Sequence, residues 1–266
     1  MPLSADEPAA PQVTSHEAWR GDAGRRQWYL SVVLPVYNEE KAVREHLGQI
    51  HQKLGQMLGR RPFEIVVADN GSTDGTREAV AAVAARYDNI VYDHTPCRGR
   101  GGALARGFRV ARGEYIAVLS IDRAWNEEFL IHAMEHLEGG TDIVYGPKSH
   151  PDSMVRRPLT RKVGSIVTRL IMAALFRRGL PETQCIKVFR ASAIPFLKEL
   201  GSYNYFAEAD FALRAYLQKA SCAYLPVEVR DFRKSSKVKI SSLLEFVVEA
   251  RHFRKNIWIA GLNEKR

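Results

Sequence analysis

Three short polar runs hold acids, amides and hydroxyls at spacings that suit ligand chemistry. Residues 35–40 read Pro-Val-Tyr-Asn-Glu-Glu, 69–76 read Asp-Asn-Gly-Ser-Thr-Asp-Gly-Thr, and 120–123 read Ser-Ile-Asp-Arg. Asp69 and Asn70 together can accept from and donate to a nucleobase edge, and Glu39 can hold ribose hydroxyls. Asp122 can ligate Mg2+ or Mn2+ bridging a pyrophosphate, which is hard-cation, oxygen-ligand chemistry. Ser72, Asp74 and Gly75 also suit a plainer task, capping and turning into a helix. Any one run alone reads as an ordinary polar turn; all three meeting at one edge of a sheet would make a ligand site.

A fourth segment, 98–104, reads Arg-Gly-Arg-Gly-Gly-Ala-Leu. Its leucine at the last position breaks the dinucleotide fingerprint, and no P-loop occurs anywhere in the chain. What remains is a glycine-rich basic loop entering a helix, where Arg98 and Arg100 beside a helix N-terminus are compatible with a phosphate. His132 and His136 share one helix face without a ligand set around them.

These groups need elements to carry them. Apolar runs at 29–36, 63–68, 89–92, 115–119 and 142–145 predict strands, and those at 29–36 and 63–68 have the pattern of strands buried on both faces. Helical periodicity falls between them, at 39–58, 75–86, 101–111 and 126–137. Such alternation predicts an α/β fold with a mostly parallel central sheet covered on both faces, in which ligands bind beyond the carboxyl ends of the strands. The second half is less regular. It has a basic helix at 159–178, a strand-like stretch at 184–189, a helix at 208–218, a strand at 223–229 and an amphipathic helix at 241–258. We expect a disordered leader over 1–27, one domain over 28–240 in a nucleotide half (28–145) and an acceptor half (146–240), and a C-terminal helical segment over 241–266.

Composition narrows the class further. The chain has 266 residues, 45% apolar and 26% charged, which excludes disordered and fibrous proteins. Its three cysteines form no C-x-x-C, so neither a zinc site nor a disulfide framework is implied. No run approaches a membrane span and no signal peptide opens the chain, so the expected location is the cytoplasm. The net charge of +9 suits an anionic partner. No base-reading motif supports nucleic acid. The arginine-flanked apolar segment 156–178 has two readings, a helix lying in an anionic membrane interface or an ordinary helix packed on the sheet.

In this order, the three polar runs resemble those of the family-2 glycosyltransferases of GT-A fold, and within them the polyprenyl-phosphate (dolichyl-phosphate) glucosyl- and mannosyltransferases. The segments 98–107, 183–190 (Thr-Gln-Cys-Ile-Lys-Val-Phe-Arg) and 236–238 (Ser-Lys-Val) add to the likeness, which covers 30–239. The resemblance implies that Pro35, Tyr37, Glu39, Ala68 and Asn70 line a nucleoside pocket. It places Ser120, Ile121 and Asp122 at the family's Asp-x-Asp metal motif, and Lys148 and Lys237 at the donor phosphates. Glu208 and Asp210 would be the acidic pair opening an acceptor-side helix, with Asp210 the base if the acceptor is an alcohol. A phosphate acceptor arrives ionised and needs none. Two departures stand out: Asn70 and Ser120 each replace a carboxylate, leaving Asp122 as the metal ligand.

The resemblance implies an inverting transferase that moves a sugar from a nucleoside-diphosphate sugar, of UDP-glucose or GDP-mannose type, to a polyprenyl phosphate, peripheral at the inner face of the membrane. Two alternatives stay open: transfer to a small soluble acceptor, and a catalytically silent nucleotide-sugar binder.

Overall fold

The computed structural model describes residues 28–95, 99–122, 126–156, 159–176, 185–200, 206–230 and 240–258. The leader 1–27 and the basic loop 231–239 lie outside them.

Apolar runs flanked by turn residues become the strands β1 (Trp28–Val36), β2 (Phe63–Asp69), β3 (Ile90–His94), β4 (Gly113–Val118) and β5 (Ile143–Gly146). Between them lie the helices α1 (Glu40–Leu58), α2 (Thr76–Ala84), α3 (Arg100–Val110) and α4 (Glu127–Glu138). The second half adds β6 (Met154–Arg156), α5 (Leu159–Phe176), β7 (Ile186–Arg190), α6 (Ala207–Leu217), β8 (Cys222–Tyr224), β9 (Glu228–Arg230) and α7 (Ile240–Phe253). Seven strands form one sheet in the order β3-β2-β1-β4-β7-β5-β8. Its pairs are parallel except at β7, which runs against both β4 and β5.

Alternate residues of each strand feed opposite cores, as the two-residue period of a strand requires. Leu30, Val32 and Leu34 join α1, α2 and α4 on one face. Val33, Val66, Ala68 and Ile116 join α3, α6 and the 3-10 segment Pro195–Glu199 on the other. On that face α3 sits unusually close. A Cβ on Gly107 would lie 2.7 Å from Val33 Cγ1 and 3.2 Å from Ala68 Cβ, so only glycine lets the helix rest directly on β1 and β2.

One expectation needs correction. The strand at 223–229 is two strands: β8 completes the main sheet, and β9 pairs with the unforeseen β6 in a separate ribbon. Pro226, lying between them, has no N–H for a ladder and marks the break. Within the segment 159–178, the described side chains of α5 pack on other helices. Met172 and Phe176 of α5 bury against Phe206 and Leu213 at α6 and Phe246 and Phe253 of α7.

At the amino edge of the sheet, the Glu64 carboxyl group is fully buried. It accepts from Ser31 Oγ at 2.6 Å, from the Arg112 backbone N–H at 2.7 Å, and from Arg112 Nη2 at 2.7 Å. Ser31 Oγ in turn accepts from the Gly113 N–H at 2.7 Å, tying the starts of β1, β2 and β4 together. The Arg112 side chain is 37% exposed, so water screens its part of the pair, and its backbone N–H stays on Glu64 whatever the side chain. Arg112→Ala is therefore expected to lower unfolding stability by about 1 kcal/mol, measured by urea denaturation, while leaving nucleotide affinity unchanged. An unaltered unfolding midpoint would show that this network is dispensable.

Candidate active site

Because β2, β1 and β4 are adjacent and parallel, the three polar runs leave the sheet side by side, roughly 5 Å apart per strand. Hydrogen bonds then lace the first two runs together. The Asn38 N–H donates to Ser72 Oγ at 2.9 Å, the Thr73 N–H to Asn38 Oδ1 at 2.8 Å, and the Glu39 N–H to Thr76 Oγ1 at 3.0 Å. Asn38 takes a left-handed backbone (φ 50°), a conformation asparagine tolerates better than most residues. Asp74 receives the Thr76 and Glu40 N–H groups, the capping task expected of it.

Asp69 is 1% exposed, and its carboxylate is filled from within the chain. Oδ1 accepts from the Ser72 N–H at 2.9 Å and Ser72 Oγ at 2.6 Å, while Oδ2 accepts from the Tyr92 hydroxyl at 2.5 Å and meets His94 Nδ1 at 3.3 Å. Burial, and then the bond to Asp69, push the Tyr92 hydroxyl well above its ordinary pKa, so it remains a donor. This geometry runs against the expectation that Asp69 grips a base directly; the carboxylate shapes the loop. Asn70 stands next to it, half-buried, and its Oδ1 accepts from the Gly99 N–H at 2.5 Å, joining the second run to the entry of α3.

Pro35, Tyr37 and Glu39 are half-buried along the same edge. Ala68 and Ile121 are not surface groups: Ala68 lies beneath Gly107 with no exposure, and Ile121 is 4% exposed within the core under α1 and α4. The two-residue period of β2 turns the Ala68 side chain inward, and the Ile121 side chain, three residues beyond the end of β4, also enters the core. After β4, the Leu119 N–H still bonds Val33 O at 3.1 Å, which holds the third run against β1. Ser120 Oγ donates to Asp122 Oδ1, and both residues are half-buried. Lys148, half-buried, follows β5 at this edge. Lys237, Arg98 and Arg123 lie outside the described residues.

The reversed direction of β7 brings its beginning, rather than its end, to this edge. There Lys187 pairs in register with Val118 of β4 and Tyr145 of β5, and it is 2% exposed. Its Nζ donates to Glu208 Oε2 at 2.6 Å, and Arg100 Nε donates to Glu208 Oε1 at 2.9 Å. Burial alone would raise the Glu208 pKa, but the charges and hydrogen bonds of Lys187 and Arg100 overcome it and hold the carboxyl below its usual range. Asp210, 2% exposed, accepts from Arg214 Nε at 2.5 Å. The chain thus joins α3, α6 and β7 through charge. The sequence reading missed Lys187, although a lysine inside the apolar run Cys-Ile-Lys-Val-Phe was a visible signal, since a lysine is buried only when paired.

Among the described residues, no group of three or more His, Cys, Asp or Glu side chains could hold a metal ion. Asp122, with Ser120 beside it, fits the more modest requirement of Mg2+, one carboxylate with substrate phosphates completing the shell. A shallow depression of about 620 Å³ among Trp28, His51, Arg60, Arg61 and Tyr87 opens at the opposite end of the sheet and shares no residue with this edge.

Comparison with known proteins accords with this geometry. The chain is 29% identical over 248 residues to the glycosyltransferase AglD of Haloferax volcanii, covering 88% of this chain but 40% of that protein. It is 26% identical over 249 residues to the dolichyl-phosphate beta-glucosyltransferase ALG5D of Trichomonas vaginalis, covering 87% of this chain and 76% of that one. In fold, it resembles glucosyl-3-phosphoglycerate synthase from Mycobacterium tuberculosis, solved with Mn2+, UDP and glucosyl-3-phosphoglycerate. The TM-score is 0.62 at 19% identity, over 85% of this chain and 79% of that one. The fold is therefore GT-A-like, a single α/β domain built on a mostly parallel sheet. The model of glycosyl transferase family 2 matches residues 31–195, and with the strand-end clusters in place the chain belongs to that family of glycosyltransferases.

Proposed function

We propose that the protein transfers a sugar from a nucleoside-diphosphate sugar to a polyprenyl phosphate, with inversion at C1. The observation that carries this reading is the state of the two acids opening α6. Glu208 is gripped by two cations and Asp210 by Arg214, so neither carboxylate stands ready to take a proton from an alcohol. An acceptor that arrives as a phosphate anion needs no such base. The relatives named dolichyl-phosphate beta-glucosyltransferases support the same acceptor.

In this reading the half-buried Tyr37, Glu39 and Asn70 hold the nucleoside, on loops set by Asp69 and Asn38. The diphosphate lies toward Arg100, Ser120, Asp122 and Lys148. A phosphate oxygen of the acceptor attacks C1 as the bond from C1 to the diphosphate oxygen breaks, and the electron pair leaves with the nucleoside diphosphate. Basic side chains preorganised around that oxygen stabilise the charge developing on it. A divalent cation on Asp122, Mg2+ or Mn2+, would add Lewis-acid charge at the same place.

The surface also supports a membrane-bound acceptor. Ile166 (47% exposed) and Leu170 (65%) on α5, and Leu244 (66%) and Val248 (67%) on α7, project from helices that pack on each other. Exposed Arg169, Arg251, Arg254 and Lys255 stand among them. Apolar side chains with basic neighbours suit an anionic lipid interface. No helix among the described residues is long and apolar enough to cross a membrane.

Incubated with labelled UDP- or GDP-sugars and a short polyprenyl phosphate, the protein should yield an organic-extractable product. Label appearing only on a water-soluble acceptor would refute the lipid reading, and no turnover at all would point to a silent binder. Asp122→Ala is expected to lower kcat by about a hundredfold or more, the scale of losing a group aimed at transition-state charge. Asp210→Asn, checked for folding by circular dichroism, should keep activity on the phosphate acceptor within about threefold, since loss of a true general base costs on the order of a hundredfold or more. Pairing Leu170→Glu with Leu244→Glu should abolish co-sedimentation with anionic vesicles while leaving nucleotide binding unchanged; undiminished sedimentation would place the lipid contact elsewhere.

A further inference from the structure

Lys187 and Glu208 are buried charges that the transfer step above leaves without a task. A buried ion pair is weak support for stability, because desolvation cancels most of the Coulombic gain. This pair holds a third charge. Arg100 is the first residue of α3, where a cation faces the positive end of the helix dipole and is locally disfavoured. It is kept there by Glu208, whose Oε1 accepts from Nε at 2.9 Å. The two Nη groups have no hydrogen-bond partner among the described residues, and the side chain is 43% exposed. What remains open is the planar fork that matches two phosphate oxygens.

The surroundings fix where that fork stands. The Gly99 N–H is held by Asn70, α3 rests on the sheet through Gly107, and Lys187 anchors Glu208 from the middle of the sheet. With Lys187 on one oxygen, Glu208 has only the other to offer Arg100. Without Lys187, both oxygens would be free to take the guanidinium in a bidentate pair and draw the Nη groups away from a ligand.

We propose that Lys187 and Glu208 are positioning residues, which preset the Arg100 guanidinium for the phosphates of the bound nucleotide. The inference rests on the reading that this edge takes a nucleoside-diphosphate sugar. The phosphate contribution can be isolated by measuring Kd for UDP against uridine, and for GDP against guanosine, by calorimetry on the full chain. Wild type should favour the diphosphate of one base strongly. Arg100→Lys and Glu208→Gln should cut that preference at least about tenfold, the scale of a charge-assisted hydrogen bond, with nucleoside affinity unchanged.

Either change at the buried pair risks unfolding, so the deciding variant is the double substitution Lys187→Met with Glu208→Leu. Replacing both charges by apolar groups of similar size is often neutral for stability. A purely structural pair predicts that this folded double variant recovers the wild-type diphosphate preference; a positioning pair predicts that the preference stays lost. Recovery overturns the proposal and leaves the donor reading intact. A wild type that prefers neither diphosphate to its nucleoside overturns both.

Discussion

Parallel pairing of β1 with both β2 and β4 is the constraint from which the site follows. It places three strand ends in a row, so residues more than eighty positions apart in the chain leave the sheet as neighbours. Side chains alone would not keep the loops beyond those ends in place. A buried carboxylate must have its lone pairs filled, and Asp69 meets that need with donors from its own loop and from the next strand. Asn38 then stitches the first loop onto the second through two hydrogen bonds to Ser72 and Thr73. The polar groups that shape the crevice are thus largely distinct from those left to meet a ligand.

Charge divides in a similar way. Glu208 and Asp210 open α6, where the dipole favours anions, yet each is bound to a cation rather than held open. With Asn70 and Ser120 standing where the resembled family has acids, this edge has fewer carboxylates than the family pattern implies. That balance suits a reaction in which donor and acceptor both carry phosphate. Such substrates bring their own negative charge and ask the protein for cations and dipoles.

Much of this was legible in the residues. The alternation of apolar runs with helical periods carried the sheet and its helices, because a strand buried on both faces leaves a continuous hydrophobic signature. The three strand-end clusters were legible because turn chemistry and ligand chemistry draw on the same short polar side chains. A motif names positions and not directions: the side chains of Ala68, on β2, and of Ile121, in the turn after β4, both enter the core. Lys187 went unread because its role depends on the direction of β7, which no local pattern encodes. The ribbon of β6 and β9 escaped for a related reason: a three-residue strand is too short to show a period.

The locked amino edge has one more consequence. Ser31, Glu64, Arg112 and Gly113 bind the starts of three strands on the far side of the sheet from every residue assigned to the reaction. Cooperative folding and substrate choice therefore draw on separate sets of residues. A lineage built on this plan is free to exchange one acceptor for another by rewriting its crevice loops, because the anchor that secures the fold lies beyond their reach.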